Sequence, residues 1–146
     1  MFAKQLTVFI ENRAGRLSDV LGALKNGGVN IISLSLADTT EFGLLRLIVD
    51  NAPLGKEKLT ECGFSSLLSD VCIIKIPHKV GSLQKLLETI DENGVNIEYM
   101  YGLSYKSEEA YVVLKASDNE KIDKILSESG VTTVTCEDLY NESNNR

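Results

Sequence analysis

The apolar positions of this chain switch between two periods. Over residues 6–10, Leu6, Val8 and Ile10 fall on one side and Thr7 and Phe9 on the other, which is the alternation of a strand. Leu17, Val20, Leu21 and Leu24 then follow helical spacing, and Gly27-Gly28 supplies an unhindered left-handed position to end the helix. Alternation returns over 31–37, where Ile32, Leu34 and Leu36 oppose Ser33 and Ser35. Asp38-Thr39-Thr40 predicts a turn into a strand over 42–49, with Leu45, Leu47 and Val49 on one face. Pro53 suits a first helical turn, Leu59 and Cys62 give a short second helix its inner side, and 64–68 is a fourth strand after Gly63.

The same order then recurs. Asn12 to Leu17 reads NRAGRL and His78 to Leu83 reads HKVGSL, displaced by 66 positions, and the same displacement carries GVNI at Gly28 onto GVNI at Gly94. A strand over 71–76 precedes a helix bearing Leu83, Leu86, Leu87 and Ile90, which Asn93-Gly94 closes. Strands over 97–103 and 111–114 flank a turn at Lys106-Ser107-Glu108. Ser117 with Glu120 predicts a capping box for the helix carrying Ile122, Ile125 and Leu126. The last strand covers 131–136, with Gly130 matching Gly63 at a displacement of 67. The pattern predicts units over 1–70 and 71–140, joined at Asp70 without a Gly/Ser/Pro-rich linker, and a flexible tail over 141–146.

Strand-helix-strand-strand-helix-strand is an α+β arrangement. Right-handed crossovers give each unit a four-stranded antiparallel sheet with both helices on one face, a ferredoxin-like βαββαβ unit. The other face then lacks a cover of its own, and Leu44, Ile48, Tyr99 and Tyr101 suggest apolar groups there that bury against another unit or chain.

Composition narrows the function. A net charge of −6, from 15 Lys and Arg against 21 Asp and Glu, opposes polyanions. Tyr99 and Tyr101 have the rings to stack on RNA bases but lack basic flanks. Cys62, Cys72 and Cys136 are odd in number with no CxxC spacing, which argues against a disulfide framework and for the cytoplasm. The first residues are too broken by polar positions for a signal peptide, and no apolar stretch approaches membrane-spanning length. With His78 the one histidine and the cysteines far apart, no metal cluster is expected, and no cofactor loop of the Walker or GxGxxG kind is present.

The glycine turns carry more information. Gly15 lets backbone approach a ligand, and the unpaired amides that open the following helix suit a carboxylate; Gly81 repeats the geometry. Asn30 and Asn96 sit just past the helix-ending glycines, where an amide either locks the turn or offers a donor and an acceptor to a zwitterion. Asn12 and Arg13 add polar groups from the end of the first strand. Arg16 suits a ligand or bare solvent equally, and His78 suits a turn, a ligand contact or a general base.

The doubled order, NRAGRL with GGVNI and HKVGSL with NGVNI, resembles two ACT domains, small amino-acid-sensing modules of metabolic regulation. As a whole, residues 1–140 resemble short stand-alone proteins of two ACT units without an enzyme. The resemblance implies a non-catalytic sensor that binds a free amino acid at interfaces between units, forms a homodimer and acts on a regulated metabolic enzyme. It assigns the family's acidic or amide position to Asn12, its glycine to Gly15 and its second-strand asparagine to Asn30; His78, Gly81 and Asn96 take those roles in the second unit. The family's frequent aspartate is absent from both copies, and His78 departs from the pattern. With their neighbours, the candidate ligand-binding set is Asn12, Arg13, Ala14, Gly15, Arg16, Asn30, Ile31, His78, Val80, Gly81 and Asn96. The alternatives are an interaction module that keeps the fold without a ligand, and a small ferredoxin-like enzyme that uses His78.

Overall fold

The computed structural model describes residues 2–38, 41–103 and 109–144. Its elements are β1 (Ala3–Glu11), α1 (Arg16–Asn26), β2 (Ile31–Asp38), β3 (Phe42–Val49), α2 (Ala52–Glu61) and β4 (Ser65–Pro77). They are followed by α3 (Ser82–Glu92), β5 (Ile97–Gly102), β6 (Glu109–Ala116), α4 (Asn119–Glu128), β7 (Thr132–Val134) and α5 (Cys136–Asn144). The two strands expected on either side of Asp70 are one 13-residue strand, β4. The chain forms two compact units that exchange their ends: Lys4–Ser69 groups with Cys136–Arg146, and Met1–Ala3 groups with Asp70–Thr135.

In the first unit the strand order is β2-β3-β1-β4. Antiparallel pairing sets Ile10 opposite Gly43 and Leu6 opposite Leu47, while Leu36 of β2 meets Leu45. Leu6, Val8, Leu45 and Leu47 share one sheet face and are buried with Val20, Leu24 and Leu59 of α1 and α2. Each such leucine contributes about 1.5–3 kcal/mol relative to exposure. Gly55 lets α2 settle closely on β1, since a Cβ there would lie 3.1 Å from Leu6 Cδ2.

The second unit repeats this, with β7 and β6 flanking β4 and β5 outside β6. Cys72 pairs with Leu114, Ile76 with Ala110 and Gly102 with Val112. Ile74, Ile76, Leu86, Ile90, Ile122 and Leu126 form its core. The bulge between Ile31 and Ser33 recurs between Ile97 and Tyr99. Both units are thus ferredoxin-like, with antiparallel strands and their helices packed on one face.

Two expectations need correction. Asp118 caps α4, its Oδ1 accepting from the Lys121 amide at 3.1 Å, while the Ser117 hydroxyl instead accepts from the Asn96 amide at 3.3 Å. The last strand stops at Val134, and Cys136 opens α5; Leu139 of that helix is fully buried, and the Cys136 thiol lies 3.6 Å from the Lys4 carbonyl oxygen. Among the described side chains of α5 only Leu139 is buried, which makes too little periodicity to be seen in sequence. On the sheet face away from α1–α4, Ile48 is fully buried, in line with the apolar groups expected there; Gln5, Ile73 and Val113 are fully buried as well, and Gln5 Nε2 donates to Thr7 Oγ1 at 3.1 Å. The turn at Lys106-Ser107-Glu108 and the Thr39-Thr40 part of the first turn lie outside the described residues.

Candidate functional site

The turns that open α1 and α3 are built alike. Gly15 has φ +88° and Gly81 φ +84°, a region L side chains adopt only under strain, and each stands where strand gives way to helix. Neither helix has a side-chain cap. By contrast α2 is capped by Asn51, whose Oδ1 accepts from the Leu54 amide at 3.1 Å, and α4 by Asp118. In both units the uncapped helix is the one beside a cleft.

In the first unit a cleft of about 340 Å³ lies against this turn, lined by Ile10, Glu11, Asn12, Arg13, Leu17, Leu36 and Gly43. Gly43 keeps it open, because a Cβ there would come within 3.1 Å of Ile10 and 3.3 Å of Leu36. Glu11 and Arg13 pair at 2.9 Å (Oε2 to Nε) and both remain largely exposed. The rim therefore holds a carboxylate, an amide and a guanidinium over an apolar floor.

The second cleft, about 490 Å³, occupies the same place in its unit and is lined by Ile76, Pro77, His78, Lys79, Val80, Leu83, Ala110 and Val112. Pro77 stands where the first unit has Glu11, His78 where it has Asn12, and Lys79 where it has Arg13. Val80 is fully exposed at the rim. Lys75 faces the other side of the strand, with Nζ 3.4 Å from Glu109 and 5.8 Å from the centre of the Tyr111 ring. Tyr111, then Glu109, hold its ammonium above the usual lysine range.

The structure gathers only part of the candidate set. Asn12 and Arg13 meet at the first cleft beside Ala14 and Gly15, and His78 and Val80 meet at the second beside Gly81. Arg16 turns away: its guanidinium lies 4.4 Å from the centre of the Phe64 ring and 3.5 Å from Asp19. Asn30 and Ile31 sit at the opposite end of β2, with the strand's eight residues, about 25 Å, between them and the turn. The Asn30 amide donates to Asp50 Oδ1 at 2.9 Å, and its carbonyl accepts from the Asp50 amide at 3.0 Å. Asn96 uses its backbone in the same way with Ser117. Within one unit, neither asparagine joins the glycine turn.

Glu11, Leu36, Gly43 and Lys79 were not singled out by spacing. Glu11 and Lys79 adjoin residues that were, and the start of β3 becomes a candidate once it is set opposite the end of β1. Among the described residues no group of three or more His, Cys, Asp or Glu side chains is placed to hold a metal, and no helix is long and apolar enough to cross a membrane.

Residues 1–142 match the family described as an ACT domain pair. Among solved structures, protein BT0572 from Bacteroides thetaiotaomicron is 36% identical, with 96% of each chain covered and a TM-score of 0.90. The regulatory subunit of aspartate kinase from Thermus thermophilus, in its ligand-free form, is 18% identical over 86% of this chain and 90% of that one, with a TM-score of 0.60. The same subunit from Thermus flavus is 19% identical over 78% and 83%, with a TM-score of 0.52. These last two share the fold alone. No curated protein matches the chain.

The chain belongs to the ACT domain family, as a tandem pair. That membership makes it a regulatory module and not an enzyme.

Proposed function

We propose that the protein senses a free amino acid through the cleft at the Gly15 turn. The observation that carries this is the pairing of opposite charges on one rim: Glu11 and Arg13, 2.9 Å apart, with Asn12 between them in sequence. A zwitterion replaces that pairing with its own, its carboxylate on Arg13 and its ammonium on Glu11, while its side chain rests on Ile10, Leu17 and Leu36. The volume is at the lower end for small-molecule sites, which suits an amino acid. Asn30 and Asn96 contribute only if a second unit brings its β2 or β5 end to the turn, as the family resemblance implies.

Occupancy is passed on through packing with a second copy of the chain or with a regulated metabolic enzyme. The fold shared with aspartate kinase regulatory subunits supports an enzyme partner. In support of a homodimer, β2 is the outermost strand of its unit and leaves Leu34 and Leu36 nearly half exposed. Calorimetric titration with the natural amino acids tests the proposal. At least one should bind, and Glu11→Gln and Arg13→Gln should each weaken it about tenfold or more, with circular dichroism unchanged. Absence of binding by every amino acid, or affinity indifferent to both substitutions, refutes it.

A further inference from the structure

The floor of the first cleft exposes hydrocarbon to water. Leu36 lines the cleft from the edge strand β2 and is 47% exposed, while Leu34, on the same face of that strand, does not line it. Leu36 also leans inward. Its Cδ1 would lie 3.3 Å from a Cβ at Gly43, and Ile10 Cγ1 would lie 3.1 Å from the same point. Both distances are shorter than ordinary carbon–carbon contact, so no further carbon fits between the two side chains there. With Leu17 they make a continuous apolar floor.

The backbone does not require the glycine. Gly43 is not one of the glycines with positive φ, and strand register puts an alanine in its place in the second unit, where Ala110 pairs with Ile76 as Gly43 pairs with Ile10. Register likewise makes Gly102 the counterpart of Leu36, since Gly102 pairs with Val112 as Leu36 pairs with Leu45. The first unit thus sets a leucine beside a glycine, and the second a glycine beside an alanine. Two positions that share one space trade bulk in this way, because close packing does not let it hold a leucine and a methyl together. The bare backbone at Gly43 is what admits the Leu36 side chain.

We infer that the first cleft selects an amino acid with a branched aliphatic side chain, and that Leu36, seated over Gly43, sets the bulk it accepts. The inference rests on the reading of this cleft as an amino-acid site. With the carboxylate at Arg13 and the ammonium at Glu11, the tail lies across Ile10, Leu17 and Leu36. A hydrocarbon tail takes the exposed part of Leu36 out of water. A polar tail gives up its own water for contact with hydrocarbon. The closed gap over Gly43 leaves no slot for a ring between Ile10 and Leu36, so valine, leucine or isoleucine lies on the floor where phenylalanine stands proud of it.

Calorimetric titration of the full chain with the natural amino acids tests this. One of valine, leucine and isoleucine should bind best, with phenylalanine about tenfold or more weaker. Leu36→Ala opens the floor and should shift the ratio of leucine to phenylalanine affinity about tenfold toward phenylalanine. Gly43→Ala parts Ile10 and Leu36 and raises the floor, so leucine should weaken about tenfold relative to alanine. Leu34→Ala, one pleat away on the same face, should leave both ratios unchanged. A ratio is insensitive to a loss of folding that all ligands share, and circular dichroism checks the fold of each variant. Best binding of phenylalanine or of a polar or charged amino acid overturns the inference. So does a ratio unmoved by Leu36→Ala, or moved as much by Leu34→Ala. If binding in those cases is still lost on Arg13→Gln, the amino-acid site stands and only its selectivity has been misread; if no amino acid binds, both fail together.

Discussion

The two turn clefts share a floor and differ at the rim. Ile10 and Leu17 become Ile76 and Leu83, and the left-handed glycine is kept at Gly15 and Gly81. Glu11, Asn12 and Arg13 become Pro77, His78 and Lys79, and Leu36 becomes Gly102. What is retained is what the fold needs: an apolar contact between helix and sheet, and a residue without Cβ where the chain turns left-handed. What has changed is what a ligand would meet. On the proposed reading of the clefts, the repeat keeps the packing requirement and varies the recognition requirement.

A sharper contrast lies beneath the clefts, on the first strand of each unit. Leu6 is fully buried in one core, and Cys72 takes its position in the other. Burial pushes the Cys72 thiol up from 9.0 to about 11. The unfolded chain ionises this thiol above about pH 9 while the folded chain keeps its proton, so stability is full below that pH and falls as pH rises toward 11. The loss reaches about 2–3 kcal/mol at the upper end. Urea unfolding near pH 8 and pH 10.5, compared with Cys72→Val, checks this. The variant should lose less stability than the parent across that interval, and equal losses would mean the thiol ionises as readily in the fold as outside it.

The glycines test whether the turns are as equal as their geometry. A Cβ at Gly15 or Gly81 meets nothing within 4 Å, so the cost of valine at either comes from the positive φ and not from crowding within the protein. Gly15→Val and Gly81→Val should each lose about 2 kcal/mol by urea unfolding. Amino-acid binding should suffer from Gly15→Val alone. If Gly81→Val harms it equally, the assignment of the amino acid to the first unit fails.

The doubled fold was legible because it is written in periodicity and in repeated glycines, which report local geometry. Gly15, Gly28, Gly63, Gly81, Gly94 and Gly130 all have positive φ, at the hand-overs where they punctuate the sequence. The site was legible only where it is local. Asn12 and Arg13 lie on the cleft because they adjoin the turn. Leu36 and Gly43 reach it through strand register, which spacing along the chain does not display. Asn30 and Asn96 share a place just past a helix-ending glycine, and in each unit it is the backbone at that place, not the amide side chain, that ties the start of a strand to the residue following its neighbour. Repetition marks constraint, and does not say whether packing or recognition imposes it.

The smallest effect concerns the helix starts at the other end of each unit. Asn51 and Asp118 satisfy the amides of Leu54 and Lys121, so replacing either by alanine orphans a donor at the first turn of α2 or α4 and should cost about 1 kcal/mol. The two caps differ in charge. Asp118 also interacts with the partial positive charge of the helix end, so part of its loss should fade as salt is raised, whereas the loss at the neutral Asn51 should not. Urea unfolding at low and high ionic strength reads both. Asn51 follows the end of β3 that pairs with the start of β2, and so stands far from the cleft at Glu11. Asn51→Ala should therefore lower stability without moving amino-acid affinity. A change in affinity would mean that the capped end and the uncapped end of the unit are energetically coupled, and the separation of packing from recognition drawn from the two clefts would not hold within one of them.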